Sequence, residues 1–429
     1  MKPQSFWLDT VPGFNGGANG PVSDPVSGRT DVVVVGGGFT GLSAALTLAK
    51  RGIDVTLVEA QQVISAASGR NGGHCNNGLS HDFTSVAERF GRERAREMYR
   101  AFDAGVDLVE ALVTREAIDC DFTRSGKLKL ASKPGHFDGL KRAQEVLARE
   151  VDADTAIIEK SALASEIGSD AYAGGLLQKR SALLHVGKFG IGLAGAAQRA
   201  GAAIHENTPV TAIERLPGGR YRVVTQTGAI EAEHIVLANG VPLEGPFAWF
   251  RRRIIPIGSF IIVTEPLGRE RARAIMPGRR TCTTSQNIGH YFRMTADDRL
   301  VFGGRARFAM SSPTSDLKSG AILQATLREV FPQIADCRID YCWGGLVDMT
   351  SDRYPRAGHQ DGLWYAMGYS GHGAQLSTHL GMIIADAMLG REDKNPIKGL
   401  HWPAVPGHFG KPWFLPLVGM YYKMLDRIQ

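Results

Sequence analysis

From Val32 to Val35 four apolar β-branched residues run together between turn-forming neighbours, the pattern of a strand buried on both faces. Thr40 to Arg51 then places Leu42, Ala45, Leu46 and Ala49 on one helical face, Gly52 stops that helix, and Val55 to Val58 reads as a second buried strand. Strand, tight turn, helix and strand thus fit within roughly thirty residues, the size of one βαβ unit. Farther along, Val86 to Val113 is helical and highly charged, Gly126 to Ala131 reads as strand, and Gly139 to Arg149 as helix. A second α/β segment opens near Val186, with a helix over Phe189 to Arg199 closed by Gly201. Strands follow at Val210 to Glu214 and Tyr221 to Thr225, joined by the hairpin signal Pro217-Gly218-Gly219, and then at His234 to Asn239. Alternating strands recur at Ile254 to Val263 and Arg299 to Ala306, and the strand Trp364 to Met367 leads into a last helix from Ala374 to Met388.

No internal repeat is visible, and the α/β segments near 32–60, 185–240 and 364–388 are separated by other material. This predicts an α/β fold with a Rossmann-like cofactor domain in three pieces, 30–85, 171–245 and 345–395. An α+β substrate domain with a mixed sheet, 86–170 and 246–344, is inserted into it twice. Residues 1–29 are expected to form a lead-in, irregular from Gly13 to Gly28, and 396–429 a C-terminal tail.

Composition narrows the classes. With 429 residues, 43% hydrophobic and 21% charged, the chain reads as an ordinary globular protein with room for two interleaved domains. The net charge of +6 is spread among acids, and the only dense basic run is Arg251-Arg252-Arg253. Without a Lys/Arg stripe and interleaved aromatics, nucleic acid is not an expected partner; a mildly basic surface suits an anionic substrate or cofactor. The five cysteines Cys75, Cys120, Cys282, Cys337 and Cys342 have neither metal-ligand nor disulfide-framework spacing, so no metal is expected. Met1 to Gly20 carries no apolar signal core, and no run approaches the roughly 18 apolar residues of a membrane span. The apolar stretch Trp413 to Met420 is short and interrupted by Pro416, so a cytoplasmic location is the expectation.

Gly36-Gly37-Gly38-Phe39-Thr40-Gly41 contains Gly-x-Gly-x-x-Gly between a strand and a helix. Gly36 allows the tight turn, Gly38 lets backbone approach a pyrophosphate, and Gly41 lets helix pack on strand. The helix start, with Phe39 and Thr40, offers bare N–H groups and partial positive charge to the phosphates. Glu59, followed by Ala60, ends the second strand, where a carboxylate accepts hydrogen bonds from a ribose. The motif alone does not choose between FAD and a nicotinamide. Beyond it, Ala67-Ser68-Gly69-Arg70-Asn71-Gly72-Gly73-His74 is a polar, glycine-rich loop. Its small residues suit a backbone running beneath an isoalloxazine ring, with Arg70 facing anionic flavin; a surface loop with a solvated arginine is the other reading.

At this point the chain resembles the FAD-dependent amine and amino-acid oxidases that include D-amino-acid, glycine and sarcosine oxidases. Ser68-Gly69-Arg70-Asn71-Gly72-Gly73 is most similar to the gamma-glutamylputrescine oxidase branch. Three further segments resemble the family: Ile235-Val236-Leu237-Ala238-Asn239-Gly240; Trp343-Gly344-Gly345 with Asp352, Pro355 and Gly358; and Tyr369-Ser370-Gly371-His372-Gly373 before a helix. The closing Pro412-Trp413-Phe414-Leu415-Pro416 with Tyr421-Tyr422 also resembles that branch, so the likeness spans nearly the whole chain. It implies FAD as cofactor, held by the residues above together with Val210, Asn239, Gly240, Gly345, Gly371, His372, Gly373 and Ala374. Helix N–H groups from Gly371 to Ala374 would meet the charge that gathers at the flavin N1/C2 edge. Arg70 and His372 are the catalytic candidates, His372 as a hydrogen-bonding or packing residue and not as a base.

The resemblance further implies that a C–H bond beside an amine nitrogen gives hydride to flavin N5, that the imine hydrolyses to an aldehyde or keto product, and that O2 becomes H2O2. Two departures stand out. Val301 occupies the position nearest the lysine that sarcosine oxidases use in oxygen activation, and Cys342, Cys75 and His74 match no covalent attachment motif, so non-covalent FAD is expected. The alternatives are a dehydrogenase passing electrons to a quinone or carrier protein, a non-catalytic flavin-binding protein, and a nicotinamide enzyme, which would leave the Arg70 loop and Gly371 motif without purpose. Arg251, Arg252, Arg253, Arg293 and Arg305 are candidates for holding a substrate carboxylate, with the pocket formed around residues 251–263 and 290–305.

Overall fold

The computed structural model describes residues 1–14, 25–304, 307–391 and 394–428. Val32, Val33, Val34 and Val35 lie in the strand Arg29–Val35 and are at most 5% exposed. Alternate residues point to opposite faces of a strand. Val32 and Val34 accordingly join the core beneath the helices Phe39–Ala49 and Val186–Arg199, while Val33 and Val35 pack with Val223, Ile235 and Phe250 on the other face. Burial on both sides is what the unbroken apolar run demands. This strand is the centre of an eight-stranded sheet whose main path runs Arg356–Gln360, Leu363–Met367, Ala229–Leu237, Arg29–Val35, Val55–Val58 and Ala203–His205. The neighbours along this path are parallel apart from the first pair. Tyr221–Thr225 attaches antiparallel to Ala229–Leu237 and pairs on its other side, again antiparallel, with its hairpin partner Val210–Arg215.

A second eight-stranded sheet runs Ile339–Met349, Ile255–Thr264, Leu300–Gly304, His290–Met294, Thr281–Thr284, Lys127–Leu130, Gly174–Gln178 and Thr155–Glu159. It is mixed: Thr281–Thr284 pairs parallel with Lys127–Leu130, and the other neighbours are antiparallel. A two-stranded ribbon, His74–Cys75 with Ala182–Leu183, continues the glycine-rich loop.

Several sequence expectations need adjustment. The helical stretch expected over 86–113 is built as two helices, Phe83–Phe90 and Arg92–Arg115, because Gly91 turns left-handed at φ +87° between them. Gly174–Gln178 lies within an expected cofactor segment but belongs to the second sheet, and Ile339–Met349 straddles the expected boundary at 345 as that sheet's outer strand. Residues 1–14 are more than a lead-in. Ser5, Phe6 and Trp7 are buried, Phe6–Asp9 is helical, and Lys2 hydrogen-bonds to the outer strand through Asp340 O (2.6 Å) and Cys342 N (2.9 Å). The expected tail contains the helix Leu415–Ile428.

Candidate cofactor site

The first strand hands the chain to the helix Phe39–Ala49 through the three glycines. Gly36 is left-handed at φ +114°, and a Cβ there would lie 2.6 Å from the Ala238 carbonyl oxygen. A Cβ on Gly41 would lie 1.9 Å from the Gly36 oxygen, so helix and strand touch backbone to backbone. Gly38 caps the helix without a side chain. The Phe39 N–H donates to Ser68 Oγ at 3.0 Å, which puts a hydroxyl of the glycine-rich loop over the helix start.

Glu59 stands opposite. Its carboxylate accepts the Gly37 N–H at 2.6 Å and the Gln61 N–H at 2.9 Å, while its backbone is gripped by His205 O and Thr208 N. Burial raises its pKa above the usual carboxylate value, and the N–H donors of Gln61 and Gly37 oppose the rise. Ala60 is exposed beside it. Val210 is buried at the head of the hairpin, just beyond the Thr208 link. Asn239 and Gly240 follow the strand that abuts Gly36, and Asn239 Oδ1 is a buried acceptor with no donor.

The loop 67–74 is built largely by its own atoms. Asn71 Nδ2 donates to Ser68 O (2.9 Å) and Ala67 O (3.2 Å), and Asn71 Oδ1 accepts the Gly73 N–H at 2.9 Å. Arg70 is half-buried, donating from Nε to Ser65 O (2.9 Å) and from Nη1 to Gly344 O (3.0 Å). Burial lowers its pKa and Asp316 counters this. Gly345 packs against it, since a Cβ there would come within 3.1 Å of Arg70 Cβ. Trp343 Nε1 closes the junction by donating to Arg70 O at 2.9 Å. The loop therefore sits between the sheets and is not a solvated surface turn.

His74 donates from Nδ1 to Gly72 O at 3.1 Å, because a carbonyl can only accept, and its enclosed Nε2 meets no partner. Burial first, then the Arg293 charge, push its pKa down to about 3, so the ring is neutral. Gly72 and Gly73 leave room for Tyr291 and Arg293: Cβ atoms there would lie 2.8 Å from the Tyr291 ring and 2.4 Å from an Arg293 Nη.

The third part precedes the helix Gly373–Met388. Gly368, Ser370 and Gly371 are all left-handed, at φ +82°, +53° and +94°. Asp348 holds this turn: its Oδ2 accepts the Gly368 N–H at 2.7 Å and its carbonyl accepts the Ser370 N–H at 3.2 Å. Burial pushes the Asp348 pKa up to about 6, against the pull of those N–H groups. His372 is the helix N-cap and its side chain makes no capping bond, so the first-turn N–H groups, with Gly373 and Ala374, carry no side-chain cap. A Cβ on Gly371 would meet nothing within 4 Å, so space opens before this helix end. Tyr369 Oη and Thr40 Oγ1 lie 2.6 Å apart, and a Cβ on Gly381 would be 2.3 Å from Thr40 O, which ties the two helices together.

The arginine candidates do not converge. Arg293 is 2% exposed and is the side chain that pins the glycine loop, donating to Gly72 O (2.9 Å), Leu184 O (2.8 Å) and Met294 O (3.3 Å), with its guanidinium over the Trp7 ring. Burial lowers its pKa to about 9. Arg251 donates to Leu243 O and Gly245 O, Arg252 lies over Phe409, and Arg253 over Trp249, contacts that do not involve the loop. Arg305 lies outside the described residues. Val301 is fully buried and pairs with Arg293 in the second sheet. Cys75 and Cys342 are buried free thiols, and burial raises the pKa of both. Sequence reasoning also missed Asp348, the Tyr369–Thr40 link and the N-terminal segment, where Ser5 Oγ donates to Gly69 O (2.7 Å) and Trp7 Nε1 to Asn71 O (2.7 Å). The apolar pair Phe6-Trp7 was the one available signal for that segment.

Residues 31–387 match the family model described as DAO, FAD dependent oxidoreductase. The chain belongs to this family. FAD is its cofactor, and the glycine cradle, the unpartnered Asn239 acceptor and the two helix starts whose N-cap residues make no side-chain cap fit that group. The chain is 32% identical over 408 residues to a probable oxidoreductase OrdL of Haemophilus influenzae, covering 93% of this chain and 92% of that one. It is 31% identical over 405 residues to the gamma-glutamylputrescine oxidoreductase of Escherichia coli, covering 93% of each. Among solved structures, glycine oxidase from Geobacillus kaustophilus superposes with a TM-score of 0.71 at 22% identity, covering 89% of this chain and all of that one, a likeness of fold. This protein is an FAD-dependent oxidoreductase with an α/β two-domain architecture. Among the described residues no helix is long and apolar enough to cross a membrane, and no group of three or more His, Cys, Asp or Glu is placed to hold a metal.

Proposed function

We propose that this oxidoreductase oxidises the C–N bond of a small amine or amino acid, with substrates of the gamma-glutamylputrescine type as the first to test. The observation that carries the proposal is the tie at Thr40 and Tyr369 between two helix starts whose N-cap residues make no side-chain cap, beside the half-buried Arg70 loop. The first sheet then carries the cofactor, and the second sheet with the glycine-rich loop roofs its reactive side. Bound FAD supplies a two-electron acceptor. The protein's part is positional and electrostatic: N–H groups from Gly371 to Ala374 and the Arg70 guanidinium offer positive charge where electron density gathers. Glu59, Gly36, Gly38, Ser68 and Asn239 hold the nucleotide end. His74, neutral in this setting, keeps its enclosed Nε2 as an acceptor. Full-length similarity to the gamma-glutamylputrescine oxidoreductase supports the amine class.

Oxygen is the acceptor in the preferred reading, giving H2O2. A dehydrogenase that passes electrons to a quinone or carrier protein is the second reading, and it is favoured by Val301, a buried apolar residue where the resemblance has a lysine. The test is anaerobic bleaching of the purified yellow protein by a panel of amines and amino acids. Bleaching by an amine supports the proposal, and a flavin that no amine or amino acid reduces overturns it. Stoichiometric peroxide in air supports the oxidase; bleached enzyme that stays reduced in air but is reoxidised by a quinone supports the dehydrogenase.

A further inference from the structure

The closing helix Leu415–Ile428 is apolar on both of its faces. Its inner face is seated on the protein. Leu415 is buried with Ile257 and Met349, Tyr422 stacks on Phe308 with centroids 5.8 Å apart, and a Cβ on Gly419 would lie 2.9 Å from the Phe308 side chain. Asp426 faces inward too, accepting the N–H groups of Asn287 (2.9 Å) and Ile288 (2.8 Å). The outer face carries Leu417, Met420, Tyr421, Met424 and Ile428, which at i, i+3, i+4, i+7 and i+11 form one stripe. They are 58%, 61%, 54%, 52% and 74% exposed, and Trp413 continues the stripe at 69%. A surface helix normally turns polar residues to water, and a patch of large apolar side chains marks an interaction surface.

Charge decides what covers it. Between Gly407 and Ile428 the charged residues are Lys411, Lys423, Asp426 and Arg427, and the single acid is the one engaged inside. Lys411 and Lys423 are exposed, and exposed Arg252 stands 5.3 Å over the Phe409 ring. An apolar stripe is thus flanked by cations without an acid on the outer face of the helix. A second copy on a two-fold axis would set this cationic rim against itself. An anionic lipid surface turns the same charges into attraction that salt screens. Trp413 and Tyr421 are residue types that favour the membrane interface, and at 14 residues, about 21 Å, the helix is too short to span the hydrocarbon.

We propose that the outer face of Leu415–Ile428 rests on an anionic phospholipid surface, with the helix parallel to its plane. The test is co-sedimentation of the full FAD-loaded chain with vesicles of phosphatidylcholine alone or mixed with phosphatidylglycerol. Partition onto the mixed vesicles is expected to be at least tenfold higher and to fall with salt. Leu417→Glu with Met424→Glu, both at water-facing positions, is expected to lower it at least tenfold with FAD content unchanged, and Lys423→Glu to lower it severalfold without touching the stripe. Absence of partition onto the mixed vesicles, or equal partition onto both, overturns the proposal. So does a dimer in solution that Leu417→Glu with Met424→Glu dissociates, because a second copy then covers the face.

Discussion

Asp348 provides a quantitative test of how the turn before the helix Gly373–Met388 is held. Its side chain is 7% exposed, and burial lifts its pKa from 3.8 to about 6. A carboxyl with a raised folded-state pKa favours the folded state while protonated. Its stabilising contribution is present below about pH 4 and is lost as pH rises through about 6. At about 1.4 kcal/mol per pH unit, that loss is about 3 kcal/mol by pH 7. For a chain of 429 residues the unfolding entropy is about 0.9 kcal/mol per kelvin, so the loss corresponds to about 3 °C in Tm. Asp348→Asn cannot ionise. It gives up one acceptor to the Gly368–Tyr369 N–H groups, a cost of about 1–3 kcal/mol that is independent of pH. Differential scanning calorimetry of both FAD-loaded proteins from pH 4.5 to 7.5 separates the two effects, since every other titrating group is shared. About 1 kcal/mol of the loss has already occurred by pH 4.5, so the Asn variant is expected to start lower and the gap to wild type to close by about 2 °C over the scan. Parallel Tm profiles across that range would refute the reasoning.

Four further outcomes follow from the geometry. Glu59→Ala is expected to weaken FAD binding about tenfold to a hundredfold, because a charge-assisted ribose hydrogen bond contributes about 1.5–3 kcal/mol; titration of the apoprotein measures it, and unchanged affinity removes Glu59 from the ribose. Gly41→Val must push the helix from Gly36 O, where even a Cβ sits at 1.9 Å. It should exceed the usual overpacking cost of about 1–3 kcal/mol and yield protein without bound flavin, and a normally yellow, equally stable variant contradicts it. Arg70→Ala should slow anaerobic flavin reduction by an amine far more than it lowers FAD content, and stopped-flow traces matching wild type return Arg70 to a purely structural role. Finally, a simple alkylamine with a pKa near 10.4 is neutral in only about one molecule in a few thousand at pH 7. Reductive kcat/KM should therefore climb as pH rises from about 7 to 9, and a flat profile with a rate-limiting chemical step argues against an amine substrate.

The strand Arg29–Val35, the helix Phe39–Ala49 and the strand Val55–Val58 were legible because each is specified by neighbours a few residues away. A β-branched run buried on both faces, an apolar helical stripe and a glycine turn followed by Glu59 are local statements about backbone freedom and water. The same holds for Gly373–Met388, found within one residue of its start. Arginine roles were not legible in this way. Arg70 and Arg293 are alike in sequence, yet Arg70 is half-buried at the junction of the sheets while Arg293 is sealed beneath the glycine loop by three carbonyls and the Trp7 ring. Only the packing of strand His290–Met294 against residues 72 and 184, more than a hundred positions away, makes that difference. Asp348 reads as an ordinary strand acid until the turn at Gly368 wraps its carboxylate, and Phe6-Trp7 reads as two stray aromatics until Trp7 reaches Asn71. Periodicity records which side of an element faces water. Which buried polar group meets which partner depends on contacts distant in sequence, and those are decided when the two sheets close on the glycine-rich loop.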